Sequence, residues 1–183
     1  MKTMDRREFI ERVMRVSLVG AVGATALPGC ASWLFWRSDT PATQRVTLDS
    51  TQMQTVASLQ NIMLPAGSEF PSAQDVRALP YLLAALADPL VDSDVVTRIV
   101  SGSDQLDALS RASHALAFAS LATREQEKQM RAFEQASGGR AFLDAVLTFT
   151  LEALLGDPVH GGNPNEVGWR AFAIEPGFPR PVA

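Results

Sequence analysis

The chain has 183 residues, 46% of them hydrophobic and 20% charged, with a net charge of −4. That length suits one globular domain, and no basic face stands out for binding nucleic acid. Cys30 is the single cysteine, so no intramolecular disulfide can form, thiolates are too few for an iron–sulfur cluster, and the Cys-x-x-Cys-His of an attached haem is missing.

Basic residues gather at the start, where Lys2, Arg6, Arg7, Arg12 and Arg15 precede a run of small apolar residues from Val16 to Leu27. The run is shorter than the ~20 apolar residues of a membrane span and reads as an export signal. Asp5-Arg6-Arg7-Glu8-Phe9-Ile10 resembles the twin-arginine signal through Arg6, Arg7 and Phe9, with Asp5 where Ser or Thr is usual. Leu27-Pro28-Gly29-Cys30 resembles a lipobox, in which the Cys is lipidated and the chain is cut before it; Pro28 is an unusual occupant. The other reading of Cys30 is an ordinary buried thiol behind an uncleaved anchor. Cleavage removes 29 residues with five basic and three acidic side chains, leaving 154 residues and a net charge of −6. The expected organisation is an export signal over 1–29, a lipidated tether over 30–47 and a helical domain over 48–183. The expected location is the periplasm, anchored to the membrane through Cys30.

Asp49-Ser50-Thr51-Gln52 has the pattern of a capping box. Met53, Val56, Leu59, Ile62 and Met63 follow at helical spacing, and Pro65-Ala66-Gly67 stops the helix. Residues 65–75 form a loop around Phe70-Pro71. A second helix runs from Tyr81 to Ala87 with Pro80 in its first turn. A third lies between Asp94 and Val100. Ser103-Asp104 caps a fourth, with Leu106, Leu109, Ala112 and Leu116 on one face. Thr123-Arg124-Glu125-Gln126 is a second capping-box pattern and opens a fifth helix, which Gly138-Gly139 breaks. Arg140 to Leu155 is the most apolar segment, expected to be a central helix wetted on few sides and ended by Gly156. No strand pattern or internal repeat is present. The fold class is all-α, an irregular bundle of about five or six helices with a long Gly/Pro-rich C-terminal loop.

Few residues suggest chemistry. His114 sits among Ala112, Ala115 and Leu116 and reads as a surface or core histidine. His160 lies in the C-terminal loop, with no second His, Cys or carboxylate cluster at metal-ligand spacing. Asp157-Pro158 after a helix stop reads as a turn. Gly161-Gly162 lacks the spacing of a phosphate loop, and no Gly-x-Gly-x-x-Gly or Gly-x-Ser-x-Gly is present. Asp92/Asp94 and Asp104/Asp107 read as helix caps and solvated faces. No catalytic, metal or cofactor residue is therefore assigned.

Leu154-Leu155-Gly156-Asp157-Pro158-Val159-His160-Gly161-Gly162-Asn163, followed by Val167-Gly168-Trp169, resembles the C-terminal signature of the gluconate 2-dehydrogenase subunit 3 family. Ile62-Met63-Leu64-Pro65 is a weaker match, and the resemblance runs from about Leu48 to Phe178. His160 departs from the aromatic residue common in the family. The resemblance implies a non-catalytic small subunit of a periplasmic sugar or polyol dehydrogenase complex. FAD then belongs to a large GMC-type flavoprotein subunit, a cytochrome c subunit takes the electrons where present, and the twin-arginine translocase exports the pair. The small subunit supports folding, export and assembly. Two other readings stand beside this: a free-standing lipoprotein adaptor, and a small enzyme using His160 and Asp157.

For the loop, the partner-binding candidates are Gly156, Asp157, Pro158, His160, Gly161, Gly162, Asn163, Gly168 and Trp169. Gly161 and Gly162 are expected to turn the chain sharply, with Asp157 and Asn163 bonding nearby backbone amides. Trp169, Phe172 and Phe178 can supply aromatic anchors for a partner. Alternatively Trp169 closes the domain's own core and the glycines only turn the chain.

Overall fold

A computed structural model describes residues 47–177. Arg6, Arg7, Phe9, Cys30 and Phe178 lie outside the described residues, as do the export signal and nearly all of the tether. Within them are six α-helices and no strand: α1 (Ser50–Met63), α2 (Ala78–Leu86), α3 (Ser93–His114), α4 (Thr123–Glu134), α5 (Gly139–Leu155) and α6 (Val167–Ala171). None of these helices is long and apolar enough to cross a membrane.

The capping box at α1 forms as the sequence indicates. Asp49 Oδ1 accepts from Gln52 N at 2.8 Å, and Gln52 Oε1 accepts from Asp49 N at 2.9 Å. Two donors that the first turn cannot satisfy internally are thereby bonded. Pro80 falls in the first turn of α2, where its missing N–H loses nothing. Gly156 caps α5, its N–H bonded to Glu152 O at 2.8 Å.

Four expectations are corrected. The stretch at 94–100 and the helix expected after Ser103-Asp104 are one helix, α3, of 22 residues, which ends at His114 before Leu116. Ser103 does not cap; its hydroxyl is buried and donates to the carbonyls of Ile99 and Val100, each at 2.8 Å. A serine satisfied inside its own helix gives no reason to break it. Asp104 instead accepts from Gln52 Nε2 at 2.9 Å, tying α3 to α1. Asp92 does cap, accepting from Asp94 N at 2.9 Å. Asp107, expected on a solvated face, is buried and accepts from Phe118 N at 2.9 Å and Arg111 Nε at 2.7 Å. It holds Phe118, which sits fully buried on a short turn between α3 and α4. The second capping box also fails: Ala122 is the N-cap of α4, and Gln126 Nε2 donates to Phe118 O at 3.0 Å.

α5 is the helix the others assemble on, with α1, α2, α3, α4 and α6 all packing against it. Its buried face includes Phe142, Leu143, Val146, Phe149, Ala153 and Leu154. The expectation that it is wetted on few sides is too strong, since Leu147, Leu151 and Leu155 form an exposed row at i, i+4 and i+8. Phe142 meets Phe133 of α4 edge-on, with centroids 5.9 Å apart. It also covers buried Gly102 of α3, where a Cβ would overlap the Phe142 ring. The missing side chain is what lets α3 and α5 approach.

Gly102→Ala tests that contact. The exchange alone favours helix by up to ~1 kcal/mol, but overpacking opposes it with about 1–3 kcal/mol. We expect thermal denaturation to show a lower Tm, partly restored in Gly102→Ala/Phe142→Leu. A raised Tm in the single variant contradicts the packing described.

Candidate functional site

The segment after α5 is short turns rather than an open loop. Asp157 Oδ1 accepts from Val159 N at 3.0 Å and caps a turn of 3-10 helix over Pro158–His160. Gly161 ends that turn at φ 92, a conformation glycine adopts without strain. A second turn, Pro164–Glu166, leads directly into α6.

Gly162 differs from Gly161. Its constraint is space: a Cβ there would lie 2.7 Å from the Cα of Ala153. The sharp turn expected of both glycines falls to Gly161, while Gly162 lets this segment press onto the backbone of α5. Gly168 does the same one turn later, where a Cβ would overlap the carbonyl oxygen of Leu154. Both contacts border a small apolar cluster of Ala73, Val76, Ala78, Ala153 and Leu154.

Asn163 joins these pieces and is 0% exposed. Its Oδ1 accepts from Gly168 N at 2.7 Å, and its Nδ2 donates to Gly156 O at 3.0 Å. Its own N–H donates to Val76 O at 3.2 Å. One side chain thus closes the span from the end of α5 to the start of α6, while its backbone fixes the segment before α2. Asn163, Asn165 and Glu166 all have positive φ, at 46, 54 and 61°. Such conformations cost about 1–3 kcal/mol each and persist where surrounding contacts determine them. The Asn163 bonds and the two glycine contacts supply that determination.

Trp169 is buried, and its Nε1 donates to Leu155 O at 2.6 Å. Of the two readings of Trp169, packing within the domain is the arrangement seen. Among the partner-binding candidates, Gly162, Asn163, Gly168 and Trp169 face inward. Gly156, Asp157 and Pro158 are partly buried, while His160 and Gly161 are exposed.

Outside this brace lies a rim the sequence did not bring together. Phe70 and Phe172 stack with centroids 4.9 Å apart and planes 12° apart, while remaining 47% and 43% exposed. Leu155 and Ile174 are also exposed. Phe172 stands out in the sequence as an aromatic, but its stacking partner is about a hundred positions away with no local signal. His160 borders a separate cavity of about 360 Å³ with Tyr81, Asp88 and Glu152. Tyr81 Oη donates to Glu152 Oε2 at 3.2 Å. Burial first, and then the neighbouring Glu152 carboxylate, raise the Tyr81 phenol above its ordinary value. His114, at the end of α3, is exposed and far along the chain from this site. Among the described residues no three His, Cys, Asp or Glu side chains gather as a metal site.

The family model for gluconate 2-dehydrogenase subunit 3 matches residues 50–177, and the chain belongs to that family. The match spans every helix described above. Comparison with curated proteins gives no match, and neither does comparison with solved structures.

Two outcomes follow. Asn163→Leu leaves Gly168 N–H and Gly156 C=O without partners, at about 1–3 kcal/mol each. We expect denaturant unfolding to show at least ~2 kcal/mol of lost stability; a neutral substitution contradicts the brace. Tyr81 generates a pH effect. Its folded pKa is raised, so its contribution to stability is complete below the unfolded value of about 10 and is lost as pH rises through the folded value. Unfolding midpoints should fall across that alkaline range, and Tyr81→Phe should flatten the fall. An unchanged slope in the variant contradicts the Tyr81 environment described.

Proposed function

We propose that this chain is the non-catalytic small subunit of a periplasmic, FAD-dependent dehydrogenase complex of the GMC type, acting on a sugar or polyol. Membership of the gluconate 2-dehydrogenase subunit 3 family carries the reading, because the family is a subunit of dehydrogenase complexes. In this reading the large flavoprotein holds FAD and oxidises the substrate, and a cytochrome c subunit receives the electrons where present. The small chain supports folding of the large one and stays bound to it. Arg6, Arg7 and Phe9 direct both through the twin-arginine translocase, which moves folded proteins, and a lipid on Cys30 holds the complex at the membrane.

The surface supports a division of labour within the C-terminal segment. Its inward residues keep the turns in one conformation, so little ordering entropy is lost on docking. Its outward residues, with Phe70, Phe172, Leu155 and Ile174, offer apolar and aromatic area of the kind that dominates interfaces. The large flavoprotein is the proposed occupant.

Affinity purification of the full-length chain from membranes should bring down a larger flavin-containing protein. In Phe70→Asp/Phe172→Asp, co-purified flavin should drop at least roughly tenfold, a loss of about 1.4 kcal/mol of binding, with the helical circular dichroism retained. Arg6→Lys/Arg7→Lys should strand both proteins in the cytoplasm. Recovery of the native chain without any flavoprotein contradicts the function, and full flavin recovery in the aspartate variant contradicts the surface.

A further inference from the structure

The cavity beside His160 adjoins a larger one, of about 550 Å³, and the two share Val91, Phe149 and Glu152. Together they form one groove between α2, α3 and α5. Along α5 it runs from Ala141 to Glu152, about 16 Å or three helical turns. Its apolar walls come from Ala84 and Ala85 of α2, Val95 of α3, and Ala145 and Phe149 of α5. A trough between packed helices is where the apolar stripe of a further helix can seat. Small side chains on the walls let that helix come close.

The charges select the helix. Asp88 and Asp92 reach the groove from the turn between α2 and α3, and Asp144 and Glu152 reach it from α5. Among the described residues none of the four is in an ion pair. Two are held in place by hydrogen bonds: Tyr81 Oη donates to Glu152, and Leu90 N donates to Asp88 Oδ1 at 2.8 Å. Arg98 brings a positive charge to the larger cavity, but four carboxylates outweigh it. A cleft lined mainly by one sign of charge concentrates that field between its apolar walls. Leu90 directly precedes Val91 and is 91% exposed. A large apolar side chain therefore stands out next to the groove and contributes little to the domain's own core.

We propose that this groove docks a basic amphipathic helix of a partner protein. The apolar stripe of the helix lies on Val95, Ala145 and Phe149 and touches Leu90. Lysines or arginines flanking the stripe pair with Asp88, Asp92, Asp144 and Glu152. Docking places cations beside carboxylates that have no ion pair in the free chain, so charge sets which helix is accepted and how it lies. The groove shares no residue with the surface of Phe70, Phe172, Leu155 and Ile174. The inference goes beyond the docking of a flavoprotein, and its test does not involve that protein, so either reading can fail alone.

The test is NMR titration of isotope-labelled full-length chain with three synthetic helical peptides of about 18 residues, or five turns. The first carries a leucine stripe flanked by lysines. The second has glutamate at every lysine, and the third is a scramble of the first with no stripe. The lysine peptide should shift the Val95 and Ala145 amides saturably, with Kd in the micromolar range. The glutamate and scrambled peptides should each bind at least roughly tenfold more weakly. Asp144→Lys/Glu152→Lys should weaken the lysine peptide at least roughly tenfold and strengthen the glutamate peptide. Leu90→Ser should weaken the lysine peptide at least roughly threefold, with Tm unchanged because the side chain is exposed. The proposal is overturned if the scramble binds as well as the lysine peptide, since the attraction is then to charge alone. It is also overturned if neither variant weakens the lysine peptide, or if the shifts fall outside the groove. Self-association of the free chain in sedimentation, abolished by Leu90→Ser, overturns it too, because the groove then receives a second copy.

Discussion

The amide of Asn163 sets the arrangement of the segment that follows α5. It must accept from one backbone and donate to another in a site without water access, and only a primary amide side chain of this length does both. Aspartate would set a carboxylate against the Gly156 carbonyl, and alanine would leave both groups unpaired. Asparagine also tolerates the left-handed backbone that the position requires better than most residues. The turns at 158–160 and 164–166, the position of α6 and the placement of Trp169 all depend on where this side chain closes the span. Its backbone bond to Val76 extends the same constraint to the segment that leads into α2.

Glycine provides the second condition. Gly162 and Gly168 lie against the backbone of Ala153 and Leu154 on the last turn of α5. Hydrogen bonds of the length seen at Asn163 need this approach, because any side chain at either glycine would hold the segment off the helix. The composition of the loop is therefore explained from inside the domain. Its outward part, His160 and Gly161, rides on a frame that is already fixed. Such a frame suits a subunit that must present one surface to a partner.

Much of the helical framework was legible because its signals are local. The capping box at Asp49, the Pro–Gly stop after Met63, the Gly138-Gly139 break and the apolar run of α5 each act within a few residues. The errors came where a side chain finds its partner through space. Ser103 and Asp104 look like a cap, but Ser103 bonds back within its own helix and Asp104 reaches Gln52. Asp107 looks solvated but is buried against the turn that holds Phe118. At the loop, glycine, asparagine and tryptophan were recognised as the residues that matter. The sequence could not show which way they face, nor that Phe70 stacks on Phe172, because neither has a periodicity to read.

Backbone hydrogen exchange of the free full-length chain tests the central claim, that the C-terminal segment is braced from within before any partner binds. The account predicts that the Gly168 amide exchanges only with global unfolding of the domain, as the core amides of α5 do, while the His160 and Gly161 amides exchange through local opening. A Gly168 amide that exchanges as fast as those of His160 and Gly161 would contradict the account, because the segment would then acquire its form only in a complex.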